Sequence, residues 1–230
     1  MATRDDEPGL HALPITVEYG GREVTFNPAV VETERGLVLI DVGPEDGIRY
    51  LETHIDSLGY DLEDVWLALI THHDADHAGG LDDLLARTDA TVATHRDEAP
   101  YVSGEREPIK GDSDGDRYPP VPVDLELVEG VRIPTLAGPM DVLETPGHTP
   151  GHISLHFPES DLLLAADALV VDDGALAGPR PEFTPDMDRA IESVEKLADL
   201  EAEHTVCYHG GYMNEGADRM REIYEAEGDE

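Results

Sequence analysis

Apolar residues along this chain fall alternately into short unbroken runs and into helical stripes. Val38-Leu39-Ile40 is a short run followed by Gly43-Pro44, the pattern of a strand leaving into a turn. Residues 48–58 place apolar side chains at helical spacing and stop at Gly59. Val65–Ile70 is apolar at every position, as a strand buried on both faces requires. Leu81–Leu85 predicts a helix and residues 90–94 a strand. Residues 142–144, Ile153–Phe157 and Leu162–Ala166 predict three more strands, 205–207 a late strand and 216–225 a last helix. Thr184-Pro185 reads as an N-cap followed by proline at the first helical position. It opens a helix to about Leu200 with Ile191, Val194, Leu197 and Ala198 on one face. Residues 97–122, rich in Pro, Gly and charge, read as an irregular excursion from the core. Such a mixture predicts layered α and β structure without fixing strand order.

At 230 residues and 40% hydrophobic content, the chain has the size of a single domain, with a core expected over about 12–215. No apolar run approaches the ~18 residues of a spanning helix. The first nine residues include Asp5, Asp6 and Glu7 and no apolar stretch, unlike a secretory signal, so a cytoplasmic location is expected. One cysteine, Cys207, excludes an internal disulfide and a Cys-rich zinc site.

Charge changes this picture most. Lys and Arg total 15, against 52 Asp and Glu, for a formal net charge of −37. Only Lys110 and Lys196 are lysines. The acids are spread along the whole chain, which points to salt adaptation rather than to one acidic docking surface. So few cations exclude a basic face for duplex nucleic acid or for an anionic membrane. A small-molecule substrate is the expected partner, and nothing in the chain specifies an oligomeric state.

The densest chemistry follows Val65–Ile70. Thr71-His72-His73-Asp74-Ala75-Asp76-His77, then Ala78-Gly79-Gly80, packs three imidazoles and two carboxylates into six residues. That is a donor mix for zinc, iron or manganese. On a loop, this spacing lets side chains aim at two adjacent centres. Further donors follow other expected strands: His148 and His152 in Pro146-Gly147-His148-Thr149-Pro150-Gly151-His152, Asp167 after Leu162–Ala166, and His209 before Gly210-Gly211. Strand ends are where a sheet positions functional groups.

Taken in order, these pieces resemble the metallo-β-lactamase-fold hydrolase superfamily. Its pattern is T-H-x-H-x-D-H, a G-H-T-x-G-H turn, an aspartate after a hydrophobic strand, and a late G-H or H-G. The resemblance runs from about Asn27-Pro28 to Gly211. It implies an α+β fold, a four-layer αββα sandwich in one domain, with a two-metal site at the strand ends. It also implies that His72, Asp74 and His148 bind one metal, that Asp76, His77 and His209 bind the other, and that Asp167 bridges them. Asp74 departs from the family, which usually has histidine there. The substitution keeps a ligand but moves the preference from zinc toward iron or manganese. The implied reaction is hydrolysis of a small ester, thioester or lactone by a hydroxide held between two divalent ions, zinc in the first place, as in glyoxalase II or lactonase-like members. Asp76 and Asp167 would orient the nucleophile and accept its proton. An iron oxygenase resembling the persulfide dioxygenases and a non-catalytic metal-binding protein are the alternatives.

Other residues carry weaker expectations. His73, at the family's variable position, reads as a half-exposed loop residue, and His152 as a structural hydrogen-bonding group. Asp41 is expected to bond to a ligand or to backbone rather than to metal, and Cys207 to be a small core residue. His11, His54, His95, His156 and His204 match no motif. Arg96, Arg106 and Lys110 read as solvated, and the excursion 97–122 as a substrate-shaping loop beside the metal cleft. Residues 112–116 resemble the start of a calcium loop, but Arg117 and Val123 stand where Gly and Glu are needed, which leaves a solvated acidic loop. No phosphate loop, nucleophile elbow or dinucleotide fingerprint occurs.

The charge yields a direct test. Debye lengths of about 3 Å at 1 M and 30 Å at 0.01 M bracket the screening of carboxylate repulsion. Thermal melts should show the midpoint falling steadily as salt is lowered over that range. A midpoint indifferent to salt would refute the adaptation.

Overall fold

The computed structural model describes residues 9–19, 21–110 and 117–227. Its strands are β1 (Leu10–Ala12), β2 (Ile15–Tyr19), β3 (Arg22–Phe26), β4 (Ala29–Thr33), β5 (Gly36–Ile40), β6 (Val65–Ile70), β7 (Thr91–His95) and β8 (Leu125–Leu127). They continue as β9 (Arg132–Thr135), β10 (Gly138–Glu144), β11 (Ile153–Phe157), β12 (Leu162–Ala166), β13 (Val170–Asp172), β14 (Ala175–Ala177), β15 (His204–Cys207) and β16 (Gly211–Met213). The helices are α1 (Ile48–Ser57), α2 (Ala75–Ala78), α3 (Leu81–Leu85), α4 (Ala99–Val102), α5 (Met187–Ala198) and α6 (Ala217–Glu227).

Two six-stranded sheets form the middle, in the orders β1-β4-β5-β6-β7-β8 and β16-β15-β12-β11-β10-β9. Side chains alternate across each strand, so every apolar run feeds two cores at once. On β6, Leu67 and Leu69 face the seam between the sheets, while Ala68 and Ile70 face outward onto Leu51 and Ile55 of α1 and Leu81 and Leu84 of α3. On β12, Leu162 and Leu164 enter the seam, and Leu163 and Ala165 turn outward to Val194 and Leu197 of α5 and Met220 and Ile223 of α6. Helices on the outer face of each sheet complete four layers, αββα. Leucine-sized side chains buried in this way contribute roughly 1.5–3 kcal/mol each.

The two central runs of parallel strands fix the functional edge. β5, β6, β7 and β8 are mutually parallel, and β12 is parallel to β15. β10 is antiparallel to β11, which is antiparallel to β12, so β10 runs the same way as β12. The C-terminal ends of β5 and β6 carry Asp41 and Thr71–His77, and those of β10, β12 and β15 carry the His148 turn, Asp167 and His209. A backbone bond from Ile153 N–H to Thr71 O, 3.1 Å, ties the sheets together at this edge.

Two expectations change. The helix expected from Thr184-Pro185 begins at Met187, because Asp186 supplies the cap: its side chain accepts from Arg189 N–H at 3.2 Å. Pro181–Phe183 instead forms a short 3-10 turn ahead of it. The excursion 97–122 is not irregular throughout. It holds α4 and sends Val102, Tyr118 and Val121 into the core, while residues 112–116, with the acidic loop expected there, lie outside the described residues. The strands before residue 36 carry their own signal. Ile15, Val17 and Tyr19 alternate with polar residues, and Gly20-Gly21 separates them from the paired Arg22. Among the described residues no helix is long and apolar enough to cross a membrane.

Candidate metal centre

All seven candidate ligands converge at this edge. His148 Nε2 lies 3.1 Å from Asp74 Oδ2, and His72 Nε2 lies 3.4 Å from the same oxygen. His209 Nε2 lies 3.3 Å from Asp76 Oδ2. Asp167 sits between these groups: Oδ2 is 3.4 Å from His148 Nε2 and 3.3 Å from His209 Nε2, and Oδ1 is 3.2 Å from His77 Nε2. Donor atoms gather within 4.8 Å of one another in the sets His72–Asp74–His148, Asp76–His77–His209 and His72–His77–Asp167.

Local structure explains the convergence. The expected open loop contains one helical turn, α2, with the Asp74 carbonyl accepting from His77 and Ala78 N–H at 3.0 and 2.9 Å. That turn rolls His77 inward and leaves Asp76 on the side of His209. Gly147 allows His148 its approach: its φ is +134°, and a Cβ there would collide with the backbone of Ala190. Ala166 is also left-handed, φ 48°, where the β12–β15 register shifts, and so re-aims the chain into Asp167.

Buried hydrogen bonds fix the imidazole tautomers. Asp41 accepts from Thr71 N–H, from the Thr71 hydroxyl and from His77 Nδ1, each at 2.8 Å. Because the Thr71 hydroxyl donates to Asp41, its oxygen is left to accept from His72 Nδ1 at 3.1 Å. Both rings therefore present Nε2 to the centre. His72 Nε2, His77 Nε2 and Asp167 Oδ1 are buried and make no directed hydrogen bond. Such orphaned polar atoms, gathered around carboxylates, are what a bound cation would satisfy. The donor set fits divalent metal.

A profile of the metallo-beta-lactamase superfamily matches residues 27–209. The chain belongs to the metallo-beta-lactamase superfamily. It is 34% identical over 167 residues to the probable metallo-hydrolase YflN of Bacillus subtilis, covering 62% of this chain and 63% of that protein. It is 34% identical over 139 residues to hydroxyacylglutathione hydrolase of Cereibacter sphaeroides, covering 60% of this chain and 46% of that one. The chain thus spans about half to somewhat under two thirds of the length of these relatives. Its fold is similar to that of a metallo-beta-lactamase family protein from Thermus thermophilus, with TM-score 0.77 and 24% identity, covering 96% of this chain and 80% of that one. A metallo-beta-lactamase from Pontibacter korlensis is similar at TM-score 0.74 and 19% identity, covering 98% of each chain.

Within this superfamily scaffold, two expectations about single residues are overturned. His73 is fully buried, not half-exposed. Its ring lies nearly parallel to that of Tyr101, centroids 4.2 Å apart, and its Nδ1 and backbone N–H both bond to Glu98. Lys110 is not solvated: Nζ lies 2.5 Å from Asp74 Oδ2 and from His148 Nε2, and it donates to Phe183 O at 3.2 Å. Motif spacing carries no trace of either contact, because both arise from the excursion folding back. His152 has the structural role expected of it. Nε2 accepts from Asp167 N–H at 3.1 Å, so Nδ1 donates to Thr145 Oγ1, which passes the chain through Ser154 to Ala165 O. Cys207 is buried in the core. Thr145, Ser154, Tyr208 and Glu98 support the site without belonging to the motif; Tyr208 donates to Asp76 O at 2.5 Å.

The electrostatics follow from crowding. Burial, then the charge of His77, drives the His72 pKa well below its usual value. Burial and neighbouring His148 push His152 down to about 3. Burial would raise Asp74, but His72, His148 and Lys110 hold it well below the carboxylate range. Asp167 is held low against its burial by His209 and His77. Burial works against charge on His77 and His209 as well, yet Asp167, with Asp41 and Asp76, raises His77 well above its usual value and, with Asp76, pushes His209 up to about 9.

In protein stripped of metal, the extra proton on His209 therefore favours the fold below the unfolded value of about 6.5. That contribution is lost as pH rises through about 9. An entering cation must displace the protons on His77 and His209. Zinc titrated into stripped protein at pH 7 in weak buffer should release protons. The release should shrink as pH approaches 9, where His209 loses its proton unaided. Uptake of metal without proton release would show that these rings carry no extra proton in the stripped protein.

Proposed function

We propose that this chain is a metal-dependent hydrolase acting on a small ester, thioester or lactone at a two-metal centre. The observation that carries the reading is the pair of donor sets, His72–Asp74–His148 and Asp76–His77–His209, sharing Asp167 between them. Zinc is the first candidate, and Asp74 in place of an imidazole favours manganese or iron at that set more than three histidines would. Two ions held there would lower the pKa of a water toward neutrality and polarise a substrate oxygen.

The residues supply the rest. Asp167, which lies between His148 and His209, and Asp76, beside His209, would hold the ions and could orient a water and accept its proton. Asp41 keeps His77 and, through Thr71, His72 in the tautomer that leaves Nε2 free. Hydrolysis adds one water across the acyl C–O or C–S bond, giving a carboxylate and an alcohol or thiol, and needs no side-chain nucleophile. The related hydroxyacylglutathione hydrolases bear the name of a thioester substrate, which supports a thioester as the first test.

From the excursion 97–122, Lys110 reaches the centre at Asp74 and His148. Ile109 and Phe183, on either side of Lys110 contacts, remain 42% and 58% exposed. We assign them, with Lys110, to shaping the substrate, with the acyl group lying against the apolar pair. From the charge pattern we assign the enzyme to a salt-rich cytoplasm.

A panel of thioesters, lactones and phosphodiesters, assayed with single added metals at high salt, tests the reaction. Turnover of an acyl substrate, dependent on added metal, is expected. Turnover confined to phosphodiesters would overturn the acyl assignment. Asp74→Ala should lower metal content after dialysis and reduce turnover by about two orders of magnitude or more, the size of several kcal/mol of lost charge stabilisation. Asp74→His should raise the preference for zinc over manganese. Full metal content and full activity in Asp74→Ala would remove Asp74 from the ligand set.

A further inference from the structure

Two buried carboxylates, Asp41 and Glu98, stand behind the candidate ligands. Asp41 serves Thr71 and His77. Glu98, in the excursion just before α4, serves a different group. Its Oε2 accepts from the backbone N–H of His73 at 2.9 Å and from His73 Nδ1. Its Oε1 accepts from Gly151 N–H at 2.7 Å. Neither side chain of the His73–Glu98 pair is exposed.

The placement is specific. His73 lies between the candidate ligands His72 and Asp74, and Gly151 lies in the turn that carries His148. One carboxylate thus joins the two chain segments that supply the first donor set. Its hydrogen bonds go to these segments and not to Asp76, His77 or His209 of the second set. Every polar atom of His73 faces the excursion: Nε2 accepts from Ile109 N–H at 3.3 Å, and the carbonyl accepts from Tyr118 OH at 2.8 Å. The ring stacks on Tyr101. Gly151 has no room for a side chain, since a Cβ would stand 2.5 Å from His95 Nδ1 and 3.1 Å from Glu98 Cγ. The close approach of the His148 turn to Glu98 is built into the backbone.

We propose that Glu98 and His73 form a positioning pair that sets the spacing of His72, Asp74 and His148, and so tunes the first metal centre separately from the second. The inference rests on the two-metal reading above. A carboxylate is needed because three N–H donors arrive at its two oxygens. Glutamine offers one acceptor oxygen. If that oxygen keeps His73, its amide NH2 meets the Gly151 N–H donor to donor, and the His148 turn loses its anchor.

Cobalt(II) titration of stripped full-length protein tests this, following visible absorption and metal content. Wild type should bind two equivalents. Glu98→Gln should bind one equivalent as wild type does and the other about 10–100-fold more weakly, the range usual for residues that orient ligands. Asp41 reaches His77 directly and His72 through Thr71, so Asp41→Asn should weaken both equivalents and thereby differ from Glu98→Gln. His73→Leu removes the ring donor and should weaken the same equivalent as Glu98→Gln. His73→Asn keeps an N–H close to the Nδ1 position and should recover most of the loss. Two equivalents at unchanged affinity in both Glu98→Gln and His73→Leu would overturn the pairing. Equal weakening of both equivalents with a lowered unfolding midpoint would overturn it too, because the pair would then act on the fold as a whole. Fewer than two equivalents in wild type would instead strike the two-metal reading, and this inference with it.

Discussion

Burying carboxylates in the seam between two sheets has a desolvation cost that only donors and cations can offset. Asp41, Glu98 and Asp167 are all buried at one edge of the sandwich. Two of them are answered by the protein: Asp41 by Thr71 and His77, Glu98 by His73 and Gly151. Asp167 is answered differently. It faces His77, His148 and His209, and of these rings His148 also faces Asp74 and His209 also faces Asp76. Those three aspartates carry three negative charges into a space lined by four imidazoles. The internal donors satisfy Asp41 and Glu98, and the central set could hold a cation.

The layering makes this arrangement possible. Strands buried on both faces bring their C-terminal ends to one edge, and a residue just past a strand end can turn into the seam without breaking a ladder. Thr71, Thr145, Asp167 and Tyr208 occupy such positions on β6, β10, β12 and β15. Irregular backbone occurs there too, in left-handed Asp41 and Ala166 and the close packing of Gly147. Stability from three apolar cores lets the edge hold this strain and this charge.

Much of the architecture is legible in the sequence because its signals are local. Val65–Ile70 and Leu162–Ala166 declare buried strands by composition, and His72 to His77 declare a donor cluster by spacing. Their meeting with His148, Asp167 and His209 follows from the order of the family motif, not from periodicity. What stays hidden is what depends on tertiary return. Glu98 is one acid among 52 acidic residues, and nothing near it in sequence marks it as the partner of His73 and Gly151. Lys110 reads as solvated because nothing local shows the excursion folding onto Asp74. His73 reads as exposed because its neighbours in sequence are polar, while its neighbours in space are Tyr101, Glu98 and Tyr118. The cap at Asp186 escapes for a simpler reason: Thr184-Pro185 two residues earlier offers an equally good local start.

The central claim is that this edge holds two metal ions on two distinct donor sets. Anomalous diffraction from crystals grown at high salt with zinc, collected on both sides of the zinc edge, tests it most directly. The account predicts two peaks roughly 3.5–4 Å apart, one among His72, Asp74 and His148, the other among Asp76, His77 and His209, with Asp167 reaching both. A single peak, or a second one away from Asp74 and His148, would contradict it.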